Sequence, residues 1–234
     1  MLSENLKKVR KTIEEACVSC GRSPEEVCLL AVSKTHPAEA VRELYEAGQR
    51  DFGENYVQEL VRKAEELPKD IRWHMIGHLQ RNKVKYIAGF VSMIHSVDSL
   101  SLAQTIEKEA EKCGRQIPIL IEVNVAGEES KFGVRPEDAE ATIREISVLP
   151  HVRVSGLMTS APIVADGEEN RIYFRKLRNL LVDIDSKRID NVAMDYLSMG
   201  MSGDYLAAIK EGAKIVRVGT AIFGERDYTK KGVV

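Results

Sequence analysis

The sequence predicts an α/β protein that folds as a single (β/α)8 TIM barrel, with one additional helix before the first strand. Short apolar runs alternate with amphipathic stretches, which is the order of parallel βαβ units. Eight such runs can be counted, and eight strands close a TIM barrel. Runs such as Ile119–Ile121 are apolar without alternation, as expected of strands covered on both faces. Because a count of strands cannot demonstrate closure, a doubly wound open sheet stays an alternative.

The additional helix is predicted over Ser3–Cys20, where apolar residues recur at helical spacing. The predicted strands are Val27–Lys34, Asp51–Glu54, Arg72–His78, Met93–Val97, Ile117–Val125, Val152–Thr159, Tyr196–Met199 and Ile215–Phe223. The other helices are predicted over Ala38–Ala47, Tyr56–Leu67, Arg81–Ala88, Ser99–Lys112, Pro136–Leu149, Glu168–Lys187 and Tyr205–Glu211. Since no repeat, linker or low-complexity segment interrupts this order, we expect one domain over residues 1–234.

The composition argues against several classes of protein. The formal net charge is −2 and basic residues are interspersed with acidic ones, so no global field favours nucleic acid or an anionic membrane. No signal peptide and no apolar run long enough to span a bilayer are visible. Cys17 and Cys20 form a C-x-x-C motif at a helix end, but no second pair completes a zinc site. We therefore expect reduced thiols and a cytoplasmic protein.

Lys34 is the first candidate for chemistry. It ends the apolar run Leu29–Lys34, at the point where a barrel strand reaches the mouth. Burial or a nearby cation at that place lowers the pKa of a lysine and leaves a neutral amine that attacks an aldehyde. A lysine that extends from the strand end into solvent explains the pattern equally well.

The last quarter of the chain predicts a phosphate site. Small residues follow the seventh strand in Ser198–Asp204, and Ser202 is placed as the N-cap of the next helix. Gly219 permits close approach of a ligand to the backbone, and Thr220 offers a hydroxyl and an N–H. Loops after strands seven and eight form the usual phosphate site of this fold. Ordinary turns and a helix cap are the alternative.

Four other side chains are predicted at strand ends, but their position alone is weaker evidence for a binding role than that of Lys34 or the phosphate site. Asn55 follows the second strand, His78 ends the third, and Asn124 and Met158 lie near the ends of the fifth and sixth. Core packing or a turn explains each of them equally well. A metal pair of His74 and His78 is conceivable on one strand face, but no cysteine or carboxylate cluster completes it.

With these residues in place, the sequence resembles the pyridoxal phosphate homeostasis proteins. The resemblance spans nearly the whole chain in the right order. The matching segments are Ala31–Lys34, Asp51–Asn55, Trp73–Lys83, Gly156–Met158, Leu197–Ser202 and Arg217–Gly224.

The resemblance implies a barrel similar to the N-terminal domain of alanine racemase, with pyridoxal 5′-phosphate (PLP) bound to Lys34 as a Schiff base. It also implies phosphate contacts from Ser202, Gly219 and Thr220, and Arg217 near the pyridine nitrogen. Members of the family are described as carriers or regulators of the cofactor pool that affect amino-acid and keto-acid balance, without established catalysis. The predicted cofactor-binding residues are Lys34, Asn55, His78, Met158, Ser202, Arg217, Gly219 and Thr220, and no catalytic residue or metal ligand is assigned.

Three functions stay open at this point. A binding protein would capture PLP on Lys34, buffer it and pass it to PLP-dependent apo-enzymes. An amino-acid racemase or decarboxylase would use the same barrel, but enzymes of that fold carry a second, mostly β domain, and this chain ends soon after the eighth strand. A phosphate-sugar enzyme would need an acid/base pair, for which Glu54, Glu122 and His78 are the candidates. The carrier is favoured, as a non-enzymatic, monomeric protein.

Overall fold

The computed structural model describes residues 1–128 and 131–224. In this part of the chain eight parallel strands form a closed barrel in sequential order, and β8 pairs with β1. The predicted TIM barrel is therefore confirmed and the open sheet is excluded. The strands are β1 (Cys28–Val32), β2 (Asp51–Glu54), β3 (Arg72–Met75), β4 (Met93–Val97), β5 (Ile117–Glu122), β6 (Val152–Met158), β7 (Val192–Ser198) and β8 (Ile215–Val218).

Helices follow the strands and cover the outside of the barrel. The α-helices are α1 (Leu2–Ser19), α2 (Ala38–Glu46), α3 (Val57–Glu66), α4 (Leu100–Lys112), α5 (Ala139–Ser147), α6 (Arg171–Ser186), α7 (Tyr205–Lys210) and α8 (Thr220–Phe223). Short 3₁₀ turns lie at Pro24–Glu26, Arg81–Tyr86, Pro136–Asp138 and Gly167–Asn170. The predicted helix over Arg81–Ala88 is thus a 3₁₀ turn.

The largest difference from the predicted elements lies at the end of the eighth strand. The apolar run Ile215–Phe223 predicts one strand, but β8 ends at Val218 and Thr220–Phe223 forms α8. Gly219 turns the chain between them with φ −110° and ψ −80°. Short apolar runs cannot be assigned to strand or helix from periodicity alone, and the turn at this glycine decides between them. This turn places the first residues of α8 at the mouth of the barrel.

The apolar core has two parts. The larger part lies between the strands and the helices, and the additional helix α1 joins it through Leu6, Val9 and Ile13, which are buried at the predicted helical spacing. The smaller part fills the inside of the barrel and consists of Leu30, Met93, Leu120, Met158 and Ile215. Such a layer of side chains makes the barrel interior solid, so that a ligand has access only at its ends.

Among the described residues, no helix is both long enough and apolar enough to cross a membrane.

Candidate functional site

Lys34 lies where the sequence predicts it, in the turn directly after β1 and at the carboxyl ends of the strands. The residue is half-buried. On the same side of the barrel, His36 stacks on Phe223 of α8 with ring centroids 4.5 Å apart. The loop after β1 therefore adjoins the segment after β8, which brings Lys34 next to the predicted phosphate site.

A buried ion pair holds the backbone in front of Lys34. The Lys63 ammonium from α3 donates to the backbone carbonyl of Ser33 at 2.7 Å and to Glu54 Oε1 at 2.6 Å. The Ser33 hydroxyl donates to the same Glu54 oxygen at 2.6 Å. Burial raises the pKa of the Glu54 carboxyl to about 7, and the Lys63 ammonium opposes this shift. These three groups, all with no exposed surface, fix the end of β1 against α3.

The residue after Lys34 is held as well. Thr35 has a φ of +67°, a left-handed conformation that is uncommon for a residue with a branched side chain. Its backbone N–H donates to both carboxylate oxygens of Glu59 in α3, each at 3.0 Å. A strained residue persists only where its surroundings fix it. The turn that carries Lys34 is therefore tied to α3 on both sides of the lysine.

The loop after β7 and the end of β8 meet at the predicted phosphate site. The Ser202 hydroxyl oxygen accepts hydrogen bonds from the backbone N–H of Gly219 at 3.2 Å and of Ala221 at 3.4 Å. Thr220 is exposed and is the first residue of α8. Backbone N–H groups in the first turn of a helix have no partner within it, so they attract anions. The structure thus brings Ser202, Gly219 and Thr220 together.

The prediction that Ser202 is the N-cap of the helix after β7 was wrong. That helix, α7, has Asp204 as its N-cap, and the Asp204 carboxylate accepts a hydrogen bond from the Met201 N–H at 2.6 Å. Serine and aspartate are equally good at this position, and both occur just before the helix. Ser202 is left to interact with the first turn of α8 instead.

Gly200 makes this loop possible. Its φ is +90°, and a Cβ atom at this position would lie 2.6 Å from the Ala208 Cβ and 2.9 Å from the Tyr205 Cα. Any side chain would therefore push the loop away from α7 and move Ser202 with it.

Arg217 lies inside the barrel near the ends of the strands and is 5% exposed. It donates hydrogen bonds to Ser198 Oγ and to the carbonyl of Thr159, both at 2.8 Å. Burial lowers its pKa to about 10, and the nearby Glu122 carboxyl opposes this shift, so the guanidinium stays charged at neutral pH. Both of these hydrogen-bond partners are uncharged groups. A buried cation in this state favours an electron-rich or anionic partner.

Asn55 follows β2, and its position depends on Gly77. A Cβ atom on Gly77 would lie 2.5 Å from the backbone oxygen of Asn55, so only a glycine permits this close approach. The Asn55 Oδ1 atom is buried and receives no hydrogen bond from a described residue. Buried polar atoms without a partner are uncommon, and one at the barrel mouth is consistent with a ligand that supplies the missing donor.

His78 and Met158 occupy different depths of the site. The His78 side chain is 41% exposed, its Nδ1 lies 3.7 Å from Asp98 Oδ2, and its ring stacks on Phe132 at 3.9 Å. Met158, at the end of β6, is 1% exposed and belongs to the apolar layer inside the barrel. His78 is therefore at the rim of the mouth, and Met158 lies below it.

A cavity of about 590 Å³ opens at the mouth and is lined by Asn55, His78 and Glu122, among others. This volume lies in the range of small-molecule sites. Glu122 is the last residue of β5 and lines the cavity. Burial raises the pKa of Glu122 to about 7, and Arg217 opposes the shift. The mouth thus combines a buried guanidinium with a carboxyl group that titrates near neutral pH.

Sequence reasoning missed the polar residues inside the barrel that contact Arg217. Ser198 contacts it directly, and His95 and His74 follow in the same hydrogen-bonded series. The one available signal was a polar residue in an otherwise apolar strand, as in Met93–Val97. His74 was considered as a metal ligand together with His78, but its ring faces His95 inside the barrel while His78 lies at the rim.

The sequence and the fold are similar to those of known proteins over nearly the whole chain. Residues 2–227 match the family model described as alanine racemase, N-terminal domain. The pyridoxal phosphate homeostasis protein of Aquifex aeolicus is 49% identical over 226 residues, which cover 96% of this chain and 98% of the relative. PipY of Synechococcus elongatus, in a structure with PLP bound, aligns with a TM-score of 0.83 and 36% identity, covering 96% of this chain and all of PipY.

A more distant likeness concerns the fold alone. Alanine racemase of Clostridium difficile aligns with a TM-score of 0.71 and 17% identity, covering 95% of this chain and 57% of the racemase. By fold and by family model, the chain belongs to the family of alanine racemase N-terminal domains. Within that class, its near-full-length relatives place it in the family of pyridoxal phosphate homeostasis proteins.

Proposed function

We propose that this protein binds PLP as a Schiff base on Lys34 and acts in the intracellular homeostasis of the cofactor, as a carrier or buffer without catalysis of its own. The observation that carries the proposal is the arrangement of the mouth. The turn with Lys34 adjoins the segment with Ser202, Gly219 and Thr220. Arg217, on β8, lies inside the barrel beneath them. PipY, which aligns with this chain over its whole length, has a structure with PLP bound, and this supports the choice of ligand.

Each part of the ligand has a group that suits it. PLP supplies an aldehyde that condenses with an amine, on an aromatic ring that withdraws electrons. Lys34 would hold the aldehyde carbon, and Ser202, Gly219 and Thr220 would hold the phosphate through hydroxyl and backbone N–H donors. Arg217 would face the pyridine nitrogen.

The other three predicted contacts surround the ring. Asn55 and His78 line the mouth cavity, and Met158 lies in the apolar layer beneath it. The unpartnered Oδ1 of Asn55 suits a donor on the ligand or on a water molecule that accompanies it. An apolar layer under a planar ring excludes water from one side of it.

The charge of Arg217 bears on what the protein does with PLP. A guanidinium beside the pyridine nitrogen opposes its protonation, because two cations repel each other. An unprotonated ring withdraws electrons weakly, which suits a protein that stores the cofactor and equally a racemase. The names of the relatives, homeostasis proteins rather than enzymes, favour storage.

One observation favours the alternative, an amino-acid racemase or decarboxylase. Glu122 has a pKa of about 7 at the mouth, which is the value that a proton-transfer group requires, and the fold is shared with alanine racemase. Incubation of the PLP-loaded protein with single L-amino acids separates the two functions. We expect no sustained formation of D-isomer, amine or keto acid. Turnover that depends on both Lys34 and Glu122 would show that the protein is an enzyme and contradict the carrier assignment.

The ligand assignment is tested by titration of the purified protein with PLP. We expect the visible absorption band of a Schiff base, and we expect Lys34→Ala to lose it. Lys83→Ala is the matched control, because Lys83 lines the mouth cavity but is assigned no role. Retention of the band at unchanged affinity in Lys34→Ala would contradict the proposal. Delivery of PLP to apo-enzymes, a monomeric state and the cytoplasmic location stay predictions.

A further inference from the structure

A series of hydrogen bonds crosses the inside of the barrel from the mouth to the opposite end. Arg217 donates to Ser198 Oγ at 2.8 Å, and Ser198 Oγ lies 2.9 Å from His95 Nδ1. His95 Nε2 lies 2.9 Å from His74 Nδ1, and His74 Nε2 lies 3.3 Å from Asp51 Oδ1. We call these five residues the buried chain. Three of its members, Ser198, His95 and Arg217, are 5% exposed or less.

The far end of the buried chain is an anion. Asp51 is the first residue of β2, and the Arg72 guanidinium at the start of β3 donates to it at 2.7 Å. Burial raises the pKa of Asp51, but the hydrogen bonds from His74 and Arg72 outweigh it and hold the pKa well below its ordinary value. The buried chain therefore has a fixed cation at the mouth and a fixed anion at the amino-terminal ends of the strands.

Both ends of the buried chain favour the same direction, in which each donor hydrogen points from the Arg217 end toward Asp51. A carboxylate can only accept, so the His74 Nε2–H must donate to Asp51. When His74 carries only this one proton, its Nδ1 accepts from the His95 Nε2–H, which leaves His95 Nδ1 as an acceptor.

The same result follows from the mouth. A guanidinium can only donate, so Ser198 accepts from Arg217 and its own O–H is free to donate to His95 Nδ1. With the opposite tautomer of His95, the buried hydroxyl would have no acceptor in the buried chain, which is costly. Burial lowers the pKa of His95 well below its ordinary value, and the Arg217 guanidinium acts in the same direction, so His95 is neutral. Each donor in the series thus has one acceptor.

We propose that His95 and His74 are positioning residues that hold the Arg217 guanidinium in the barrel mouth. This assignment rests on the proposed function, because it concerns the cation that faces the pyridine ring. The long side chain of an arginine has many rotamers, and fixing one of them in advance removes an entropic cost from ligand binding. The buried chain connects that rotamer to Asp51 at the other end of the barrel.

The first test uses the protein without added PLP. Long-range ¹H–¹⁵N correlation spectra of histidine-labelled protein report which ring nitrogen carries the proton, with His95→Asn and His74→Gln variants for assignment. We expect the Nε2–H tautomer for both His74 and His95. A proton on Nδ1 of His95 would overturn the direction of the buried chain, and with it the proposal.

The second test breaks the buried chain next to Arg217. Ser198→Ala removes one hydroxyl and little volume, so we expect the fold to remain and the affinity for PLP to fall about tenfold, the effect of one hydrogen bond to a charged group. We also expect the pH at which the visible band changes to move upward by about half a unit or more, because the cation near the ring nitrogen is no longer fixed. His95→Leu should have the same effects. His95→Asn should restore most of the affinity, since its amide oxygen can accept from Ser198.

The control is Ile94→Val, a change next to His95 on β4 that lies in the outer core and outside both the apolar layer and the buried chain. It should leave both the affinity and the pH of the spectral change near wild type. If Ser198→Ala behaves like Ile94→Val, the residues are structural and the proposal is wrong. If wild type itself gives no Schiff-base band, the proposed function has failed, while the tautomers still decide whether the buried chain exists.

Discussion

Replacement of Lys63 by methionine tests how the turn with Lys34 is held. Lys63 and Glu54 are both fully buried, and the ammonium donates to Glu54 Oε1 and to the Ser33 carbonyl. Methionine has similar length and no charge. Lys63→Met therefore leaves a buried carboxylate without its cation and a carbonyl without its donor.

The magnitude follows from these contacts. Removal of one partner of a buried ion pair costs about 3–5 kcal/mol, because the remaining group must either stay charged without water or take up a proton. The cost should be larger at pH 8 than at pH 6. The pKa of Glu54 is already raised to about 7, and the loss of Lys63 raises it further, so folded Glu54 retains a proton that the unfolded chain releases. Adding Glu54→Gln removes the charge and should recover all but about 1–2 kcal/mol.

Urea unfolding at pH 6 and pH 8 measures both effects. The matched control is Lys112→Met in α4, which breaks an exposed pair with Glu109 and should change the free energy of unfolding by at most about 0.5 kcal/mol. A loss of less than about 1 kcal/mol in Lys63→Met, or a double variant as unstable as the single one, would refute the reasoning.

Three further predictions concern the mouth. The raised pKa of Glu122 stabilises the fold at low pH, and this stability is lost as the pH rises through about 7. The free energy of unfolding of Glu122→Gln should therefore gain about 2 kcal/mol relative to wild type between pH 5 and pH 8. Parallel pH profiles of the two proteins would contradict the shift. Ser202→Ala combined with Thr220→Ala should weaken PLP binding about tenfold or more with unchanged thermal unfolding, and unchanged affinity would remove the phosphate assignment. Gly200→Ala should lower the free energy of unfolding by about 2 kcal/mol or more, because its Cβ would meet Ala208, and a neutral effect would show that the loop can move.

Much of the fold could be predicted from the sequence because barrel strands are apolar on both faces. β2 and β4 have the predicted bounds of Asp51–Glu54 and Met93–Val97. The start of β7 was missed, since Val192 to Tyr196 includes exposed residues that do not form an apolar run. The end of β8 was missed because a short, mostly apolar segment such as Thr220–Phe223 fits a strand and a helix equally well. Only the turn at Gly219 shows that this segment is a helix.

Part of the site could be predicted from the order of residues along the chain. In a parallel barrel every residue that follows a strand reaches the same end, so Lys34, Asn55, Ser202 and Gly219 could be placed at the mouth from their order alone. The partners of Arg217 could not, because Ser198 and the two histidines come from three different strands. Their contacts depend on the closure and stagger of the barrel, which no local spacing encodes.

The central claim, that the Lys34 amine holds PLP, is tested most directly by borohydride reduction of the loaded protein followed by peptide mass spectrometry. Borohydride converts the Schiff base into a stable secondary amine and so records the residue that carried it. We expect the mass of the reduced cofactor on the peptide that contains Lys34, and no label in Lys34→Ala. Stoichiometric label on a different lysine of the wild-type protein, with Lys34 unmodified, would contradict the account.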